Sequence, residues 1–323
     1  MGLADLVKEI REDRAKLPGQ RLFDHIRNRP PEIKPPMKPG DFFRISSLPY
    51  LCPREEVLAF QHDVVRMINY APGLQITFDI GNLFHDLYRD QYFGPMGEWG
   101  GAWECKRCGW DTDKAGLSHA PVKGGHMAKL TTMPESCPDC GAVRPAPCLE
   151  CGRMAMNVCG QCGAVRPGVD PESEIVAGGI ITFKEWSVKD NKLCLKGHPD
   201  GWRIIPGEKP SIVDLKSHGS NGFVSRNSLR EGHDVQVWSY QHCSNETDRT
   251  GEVYYMNKSP WGDHSAFIRT IAAPFDKRIF DYTVRKPLVS LQEGLDGGKM
   301  PDRICISDDT PKAKGCQLAS VCF

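Results

Sequence analysis

The feature that most constrains this chain is a cysteine-rich stretch, from Gly97 to about Pro171, that cannot build a hydrophobic core. It is rich in Cys, Gly and Pro and has almost no long apolar periodicity, so something other than apolar packing must hold it. Four C-x-x-C pairs lie in this stretch: Cys105 and Cys108, Cys137 and Cys140, Cys148 and Cys151, and Cys159 and Cys162. This spacing is typical of metal ligands rather than of a disulfide framework.

The eight thiolates of these pairs are enough for two tetrahedral four-cysteine zinc sites. Each C-x-x-C pair with the glycine that follows it forms a turn, here called a knuckle. In each knuckle the two sulfurs can face one metal, and the glycine permits a tight backbone turn. Pairing in chain order would join the first two knuckles and the last two, and a nested pairing is the alternative. We expect structural zinc, because four thiolates leave no open position for a substrate. The insertion then either binds nucleic acid or protein, or is a rigid zinc-stapled spacer.

The rest of the 323-residue chain has the composition of an ordinary soluble protein, with 25% charged and 40% hydrophobic residues and a formal net charge of zero. No apolar run approaches the roughly 20 residues that a membrane span needs. The N-terminus lacks the features of a secretory signal, so we expect a cytoplasmic protein, in the host cytoplasm if the source is viral, without a membrane partner. Reducing surroundings also agree with metal-ligating cysteines.

The proline-rich and cysteine-rich stretches along the chain predict four parts. Residues 1–41 are an N-terminal helix followed by a proline-rich linker, and residues 97–170 are the zinc-binding insertion. Residues 42–96 and 171–323 supply helices and strands on either side of it. Residues 46–71 read as a turn followed by a helix, with Pro53 near its first turn. Residues 76–93 continue as helix, with Leu83, Phe84, Leu87 and Tyr88 on one face. After residue 175 the order is strands, helix, strands and a long helix, with a hairpin at Asp190. The predicted fold class is therefore α/β or α+β.

Three charged residues stand out in the strand-rich part. Asp200 begins one predicted strand, and Asp214 and Lys216 lie two apart on the next, hence on one face of it. A charged pair on an apolar strand is costly to bury without a purpose, although such pairs also occur by chance on solvent-facing edge strands. Converging carboxylates would bind a hard divalent cation through oxygen. The ammonium of Lys216 could orient a water molecule or offset charge in a transition state.

Further polar residues complete a series along the chain, which runs His85, Asp200, Asp214-Leu215-Lys216, Gln236 and Tyr240. This series resembles the motifs of RecB-type nucleases in the PD-(D/E)XK superfamily, over residues 45–96 and 175–323. The resemblance implies a PD-(D/E)XK core, which is a mixed sheet flanked by helices. It implies that the histidine, both aspartates and the Leu215 carbonyl bind Mg²⁺ or Mn²⁺, and that Lys216 serves catalysis. It also implies that Gln236 and Tyr240 contact the DNA strand near the scissile phosphate.

Three cysteines, Cys305, Cys316 and Cys322, end the chain, and Cys52 lies upstream of the nuclease motifs. One cysteine before and three after these motifs resembles the iron–sulfur staple of AddB-type and CRISPR-associated RecB-like nucleases. The resemblance implies a [4Fe–4S] cluster that ties the two ends of the domain together. The spacing departs from the family, which often has two residues between the first two C-terminal cysteines, where this chain has ten. Zinc at the same four cysteines, or simple free thiols, are the alternatives. Cys194 and Cys243 have no partner pattern and are predicted to be core residues.

The sequence thus predicts a DNA exonuclease or end-processing nuclease from phage or mobile-element recombination or repair. Its expected substrates are single-stranded DNA or duplex ends, and a recombination or replication protein is a possible partner. The chain has no G-x4-G-K-[ST] motif and so is not a self-contained helicase–nuclease. The alternatives are a DNA-binding or assembly scaffold with zinc ribbons, an RNA-directed nuclease, and a zinc-ribbon transcription accessory.

Overall fold

The computed structural model describes most of the chain outside the N-terminus and parts of the insertion. The described residues are 24–112, 131–134, 136–141, 146–147, 150–151, 154–155, 159, 161–165, 181–184, 186–205, 207–218, 228–258 and 268–323. The predicted helix over residues 3–28 lies almost wholly outside them, and only residues 24–27 of it are described as helix.

Within these ranges the chain is a mixed α/β structure. The strands are β1 (Glu32–Lys34), β2 (Phe43–Arg44), β3 (Arg66–Ile68), β4 (Trp99–Cys105), β5 (Thr131–Thr132), β6 (Ala146–Pro147), β7 (Met154–Ala155), β8 (Ile181–Lys184), β9 (Val188–Asp190), β10 (Leu195–Gly197), β11 (Gly201–Arg203), β12 (Ser211–His218), β13 (Thr250–Asn257) and β14 (Ile268–Pro274). The helices are α1 (Pro53–Gln61), α2 (Pro72–Asp86), α3 (His233–Cys243), α4 (Lys277–Phe280), α5 (Lys286–Leu295), α6 (Pro311–Lys314) and α7 (Ala319–Cys322). The predicted α/β or α+β class is confirmed at this level.

The main sheet has the strand order β14-β13-β12-β11-β4-β5, and β8 also pairs with β4. Only the β12–β13 pair is parallel, and helix α3 lies between these two strands in the chain. This is expected, because two parallel neighbours need a crossover connection. The strands on either side of this pair run antiparallel to it.

Two large apolar clusters hold the sheet and its helices together. One contains Trp202 and Ile212 with residues of α3 and α5, including Trp238 and Leu291. The other contains Val213 and Leu215 with residues of β4, β8 and the insertion. Successive residues of β12 therefore enter different clusters, as alternation along a strand requires.

Helix α2 carries the chain toward the sheet and continues as a π-helical run, Leu87–Phe93, before the short α-helical segment Gly94–Met96. Of its predicted apolar positions only Tyr88 is buried, while Phe84 is half-buried. Leu83 and Leu87 are exposed among the described residues, because that side of α2 faces away from the sheet.

Three local predictions differ from the structure. Residues 66–68 form strand β3 rather than helix, because they pair with β1, which itself lies inside the proline-rich linker. The hairpin at Asp190 is present, but its turn spans four residues, with Asp190 Oδ1 accepting hydrogen bonds from the amides of Lys192 and Leu193. Cys243 is buried as predicted, whereas Cys194 is only half-buried because it lies in this turn with a φ of 47°.

Candidate carboxylate site and cysteine groups

Asp200, which directly precedes β11, meets the charged residues of β12 at one point of the main sheet. Gly201 pairs with Val213, so the antiparallel register brings Asp200 beside Asp214. Asp200 Oδ2 accepts a hydrogen bond of 2.7 Å from the Leu215 amide, which fixes the carboxylate across the two strands. Lys216 Nζ lies 2.8 Å from Asp214 Oδ2. The three residues singled out by sequence are thus brought together.

His85, near the end of α2, reaches the same point from outside the sheet. Its Nδ1 atom lies 3.1 Å from Asp200 Oδ1, although 115 residues separate the two in sequence. Burial alone would lower the pKa of His85, but the charge of Asp200, the hydrogen bond with it and the charge of Asp214 together raise it. The His85 imidazole and the Asp200 carboxylate therefore place a nitrogen atom and an oxygen atom side by side.

The charges of this site control one another. Burial alone would raise the pKa of Asp200, but His85, Lys216 and Arg89 lower it to about 2. Burial and the charge of Asp200 raise the pKa of Asp214, against the effect of Lys216. Burial would lower the pKa of Lys216, yet the two carboxylates raise it. Asp200 is thus the permanently ionised member of the carboxylate pair.

Gln236 and Tyr240 of α3 lie close to this site and are buried. Burial and the charges of Asp214 and Asp200 raise the pKa of Tyr240, while a hydrogen bond with Gln236 opposes this. The Tyr240 hydroxyl is consequently a neutral group that can only donate or accept a hydrogen bond. Contact of these two residues with a DNA strand stays a prediction.

Arg89 is a member of the site that the sequence did not suggest. Its Nη1 atom lies 3.9 Å from Asp200 Oδ1, and its Nη2 donates to Asp86 Oδ1 at 2.6 Å. The guanidinium also lies over the Phe183 ring, 4.9 Å from its centroid. The only sequence signal was its position four residues after His85, which is one helical turn away.

The side chains of the site have the chemistry of cation ligands, although among the described residues His85, Asp200 and Asp214 do not form a group whose ligand atoms all lie within 4.8 Å of one another. Among the described residues, the buried Asp214 Oδ2 has no hydrogen-bond partner of good geometry, despite its closeness to the lysine ammonium. Two carboxylates and an imidazole are present, and the Leu215 carbonyl lies on the same strand. Oxygen-rich sets of this kind suit Mg²⁺, and an added imidazole suits Mn²⁺. Binding of such an ion by His85, Asp200, Asp214 and Leu215 stays a prediction.

Four cysteines of the insertion form a compact sulfur group. Cys105 Sγ lies 3.8 Å from Cys140 Sγ, and Cys108 Sγ lies 3.5 Å from Cys137 Sγ. All four sulfurs lie within 4.8 Å of one another. A tetrahedral site with metal–sulfur bonds of about 2.3 Å needs sulfurs about 3.8 Å apart, so this group could hold zinc. The pairing follows chain order.

The knuckle geometry explains why glycine follows each second cysteine. The amides of Gly109 and Gly141 donate to the carbonyls of Cys105 and Cys137, both at 2.9 Å. Their φ angles of 74° and 67° lie in the left-handed region, which glycine adopts without strain. The turn thereby directs both sulfurs of a knuckle to one side.

A second sulfur group contains Cys151, Cys159 and Cys162, whose sulfurs also lie within 4.8 Å of one another. Cys151 Sγ is 3.5 Å from Cys159 Sγ, and Gly163 repeats the left-handed turn with a φ of 71°. The fourth predicted ligand, Cys148, lies outside the described residues. The three described thiols could hold a metal such as zinc.

Cys52, Cys305, Cys316 and Cys322 line one small cavity between α1 and the C-terminal segment. All four are half-buried, and burial raises the pKa of the Cys52 and Cys316 thiols. In the described part of the chain they are not among the groups with three or more possible ligand atoms within 4.8 Å of one another. Their sulfurs are thus spread more widely than those of the insertion.

Among the described residues, no helix has both the length and the apolar character to cross a membrane.

No protein-family profile and no curated protein sequence matches this chain.

Proposed function

We propose that this chain is a metal-dependent DNA nuclease of the PD-(D/E)XK type. The observation that carries the proposal is the meeting of Asp200, Asp214, Lys216 and His85 at one point of a mixed sheet. A sheet flanked by helices is also what the resemblance to RecB-type nucleases implies. The expected activity is exonucleolytic or end-processing cleavage in phage or mobile-element recombination or repair.

Each residue has a task that its surroundings support. His85, Asp200, Asp214 and the Leu215 carbonyl would hold Mg²⁺ or Mn²⁺, which when bound would polarise a phosphodiester and lower the pKa of a water molecule. Lys216 keeps a positive charge beside Asp214 and can offset negative charge that develops on the phosphate. Gln236 and Tyr240 would offer neutral hydrogen bonds to the DNA strand.

The four cysteines of the terminal cavity would hold a [4Fe–4S] cluster. A single zinc ion needs closely packed sulfurs, whereas a four-iron cluster receives its ligands from four separate corners. The wide placement of these thiols around one cavity favours the cluster. The cysteine groups of the insertion would hold two zinc ions, with Cys148 as the eighth ligand.

A panel of end-labelled single-stranded DNA, duplex DNA and RNA, each with Mg²⁺ or Mn²⁺, tests the activity. We expect DNA cleavage that needs the metal and that falls at least ~10²-fold in Asp214→Ala, by analogy with the loss of one transition-state stabiliser. Asp248→Ala is the matched control, since Asp248 is an exposed aspartate paired only with Lys209 at 3.2 Å among the ion pairs described.

The outcomes separate the alternatives. Wild-type cleavage by Asp214→Ala would contradict the site assignment. Binding of DNA without cleavage by any preparation would favour the scaffold hypothesis, and cleavage of RNA alone would favour an RNA-directed nuclease.

A further inference from the structure

Arg89 is held as a fixed cation inside the carboxylate site. Its side chain is only 10% exposed, and Asp86, Asp200 and the ring of Phe183 contact it from three directions. It lies in the π-helical run that follows α2, a local geometry that often occurs at functional sites. Because it is enclosed, Arg89 is poorly placed to contact a DNA strand directly.

Arg89 adds a second positive charge beside the carboxylates, next to that of Lys216. A divalent cation that binds Asp200 is therefore repelled by both cations at short range. A phosphodiester at the site would add a negative charge that offsets this repulsion.

Resting on the proposed nuclease function, we propose that Arg89 is a positioning residue that weakens divalent-ion binding until DNA is present. The guanidinium lies 3.9 Å from the carboxylate oxygen that also faces His85, so it competes electrostatically with an ion on Asp200. The ion and the DNA phosphate would then strengthen each other's binding, as thermodynamic linkage requires.

The test is a titration with Mn²⁺ of the intact protein that retains its zinc and iron. Electron paramagnetic resonance measures the Mn²⁺ that stays free at each addition. Asp214→Ala supplies the blank for Mn²⁺ bound elsewhere. Arg89→Met removes the charge and keeps a long side chain, and we expect it to bind Mn²⁺ at least about tenfold more tightly without DNA. Arg89→Lys keeps the charge and should bind as the wild type does.

A second arm repeats the titration with a phosphorothioate-substituted duplex. The duplex should tighten Mn²⁺ binding more in the wild type than in Arg89→Met. Equal or weaker DNA-free binding by a folded Arg89→Met variant, or equal tightening by the duplex in both proteins, would overturn the inference and leave the nuclease proposal standing. Wild-type protein that binds no Mn²⁺ above the Asp214→Ala blank, with or without DNA, would overturn both.

Discussion

The first cysteine group of the insertion and the terminal cysteine group differ in how their sulfurs are placed. In the insertion, the sulfurs of Cys105, Cys108, Cys137 and Cys140 are packed within 4.8 Å of one another. At the chain ends, the four thiols surround a cavity and are not packed in this way. Two groups with the same number of cysteines can therefore hold different metal centres, because the distances between the sulfurs limit the size of the centre that they can bind.

The two groups also differ in their surroundings. Cys105 ends strand β4, and Cys105 and Cys137 belong to the apolar cluster that contains Val213 and Leu215. The compact group is thus built into the main sheet, beside the strand that carries the carboxylate site. The terminal group lines a cavity between α1 and the C-terminal segment, and Arg54 of α1 also donates to the Pro301 carbonyl at 2.9 Å. The compact group packs against the main sheet, whereas the terminal group lies where α1 and the C-terminal segment come together.

The largest effect is expected from Cys137→Ser. Cys137 is almost fully buried in that cluster, so losing its metal would remove both a tetrahedral centre and the packing that depends on it. A structural zinc contributes about 10–16 kcal/mol of apparent binding free energy in small zinc-finger peptides, which is more than most domains have in reserve. Zinc analysis and thermal unfolding would show loss of about one zinc per chain and a large fall in melting temperature.

Cys162→Ser is the matched variant, because Cys162 is an exposed member of the other sulfur group. It should also lose one zinc but cost far less stability. If the two variants unfold at the same temperature, the compact group does not support the sheet as described.

A smaller effect is expected from Cys52→Ser. If these cysteines hold a cluster as proposed, ligands from both ends would close a loop of roughly 250 residues, and such closure would lower the entropy of the unfolded chain, although the gain grows slowly with length. Wild-type protein purified without oxygen should contain about four iron atoms per chain. Cys52→Ser should lose this iron, melt at a lower temperature and expose the C-terminal tail to proteolysis, as measured by elemental analysis and limited digestion.

Cys194→Ser is the control for Cys52→Ser, since Cys194 lies in the hairpin turn and its thiol donates to the Asn191 carbonyl. It should keep its iron. Retention of full iron by Cys52→Ser, together with its loss from Cys194→Ser or Cys243→Ser, would show that the fourth ligand is wrongly assigned. Three zinc ions and no iron in the wild type would replace the cluster by zinc.

His85→Ala should change the carboxylate site and neither cysteine group. An imidazole ligand suits Mn²⁺ better than Mg²⁺, so its loss should weaken Mn²⁺ binding and narrow any preference for Mn²⁺. Titrations with both ions would measure this, while zinc and iron contents stay at the wild-type level. Unchanged titration curves would assign His85 a structural role.

The smallest effect is expected from Glu246→Gln. The change of stability with pH that Glu246 causes has the opposite sign to the change that the metal–thiolate groups cause. Burial raises the pKa of Glu246 from 4.5 to about 7, although Arg249 and the Trp202 indole lower it. The folded state holds this proton more tightly, so the carboxyl contributes stability that is complete below about pH 4.5 and is lost as the pH rises to about 7. Metal–thiolate groups instead lose stability as the pH falls, because acid protonates the thiolates.

Unfolding of wild type and Glu246→Gln between pH 5 and 8 would separate the two contributions. The variant should lack a decline with a slope of at most about 1.4 kcal/mol per pH unit. A decline of the same size in both proteins would mean that Glu246 does not cause it.

The sequence by itself determined the features that depend on local spacing. The C-x-x-C-G pattern predicted the knuckles, because two thiols and a left-handed glycine within five residues fix the turn without distant contacts. Period-2 spacing brought out Asp214 and Lys216, and the helix that carries Gln236 and Tyr240 was also predicted. The pairing of the first two knuckles was among the alternatives that the sequence left open.

Only the tertiary structure decided how distant segments meet. The contact of Arg89 with Asp200 depends on the angle at which α2 and its π-helical run approach the sheet, and no local pattern encodes that angle. Residues 66–68 became a strand because β1 offered backbone hydrogen bonds, which outweighed their helical periodicity. The different spacing of the two cysteine groups likewise arises from packing, since sulfurs from α1 and the C-terminal segment are placed by the elements that carry them.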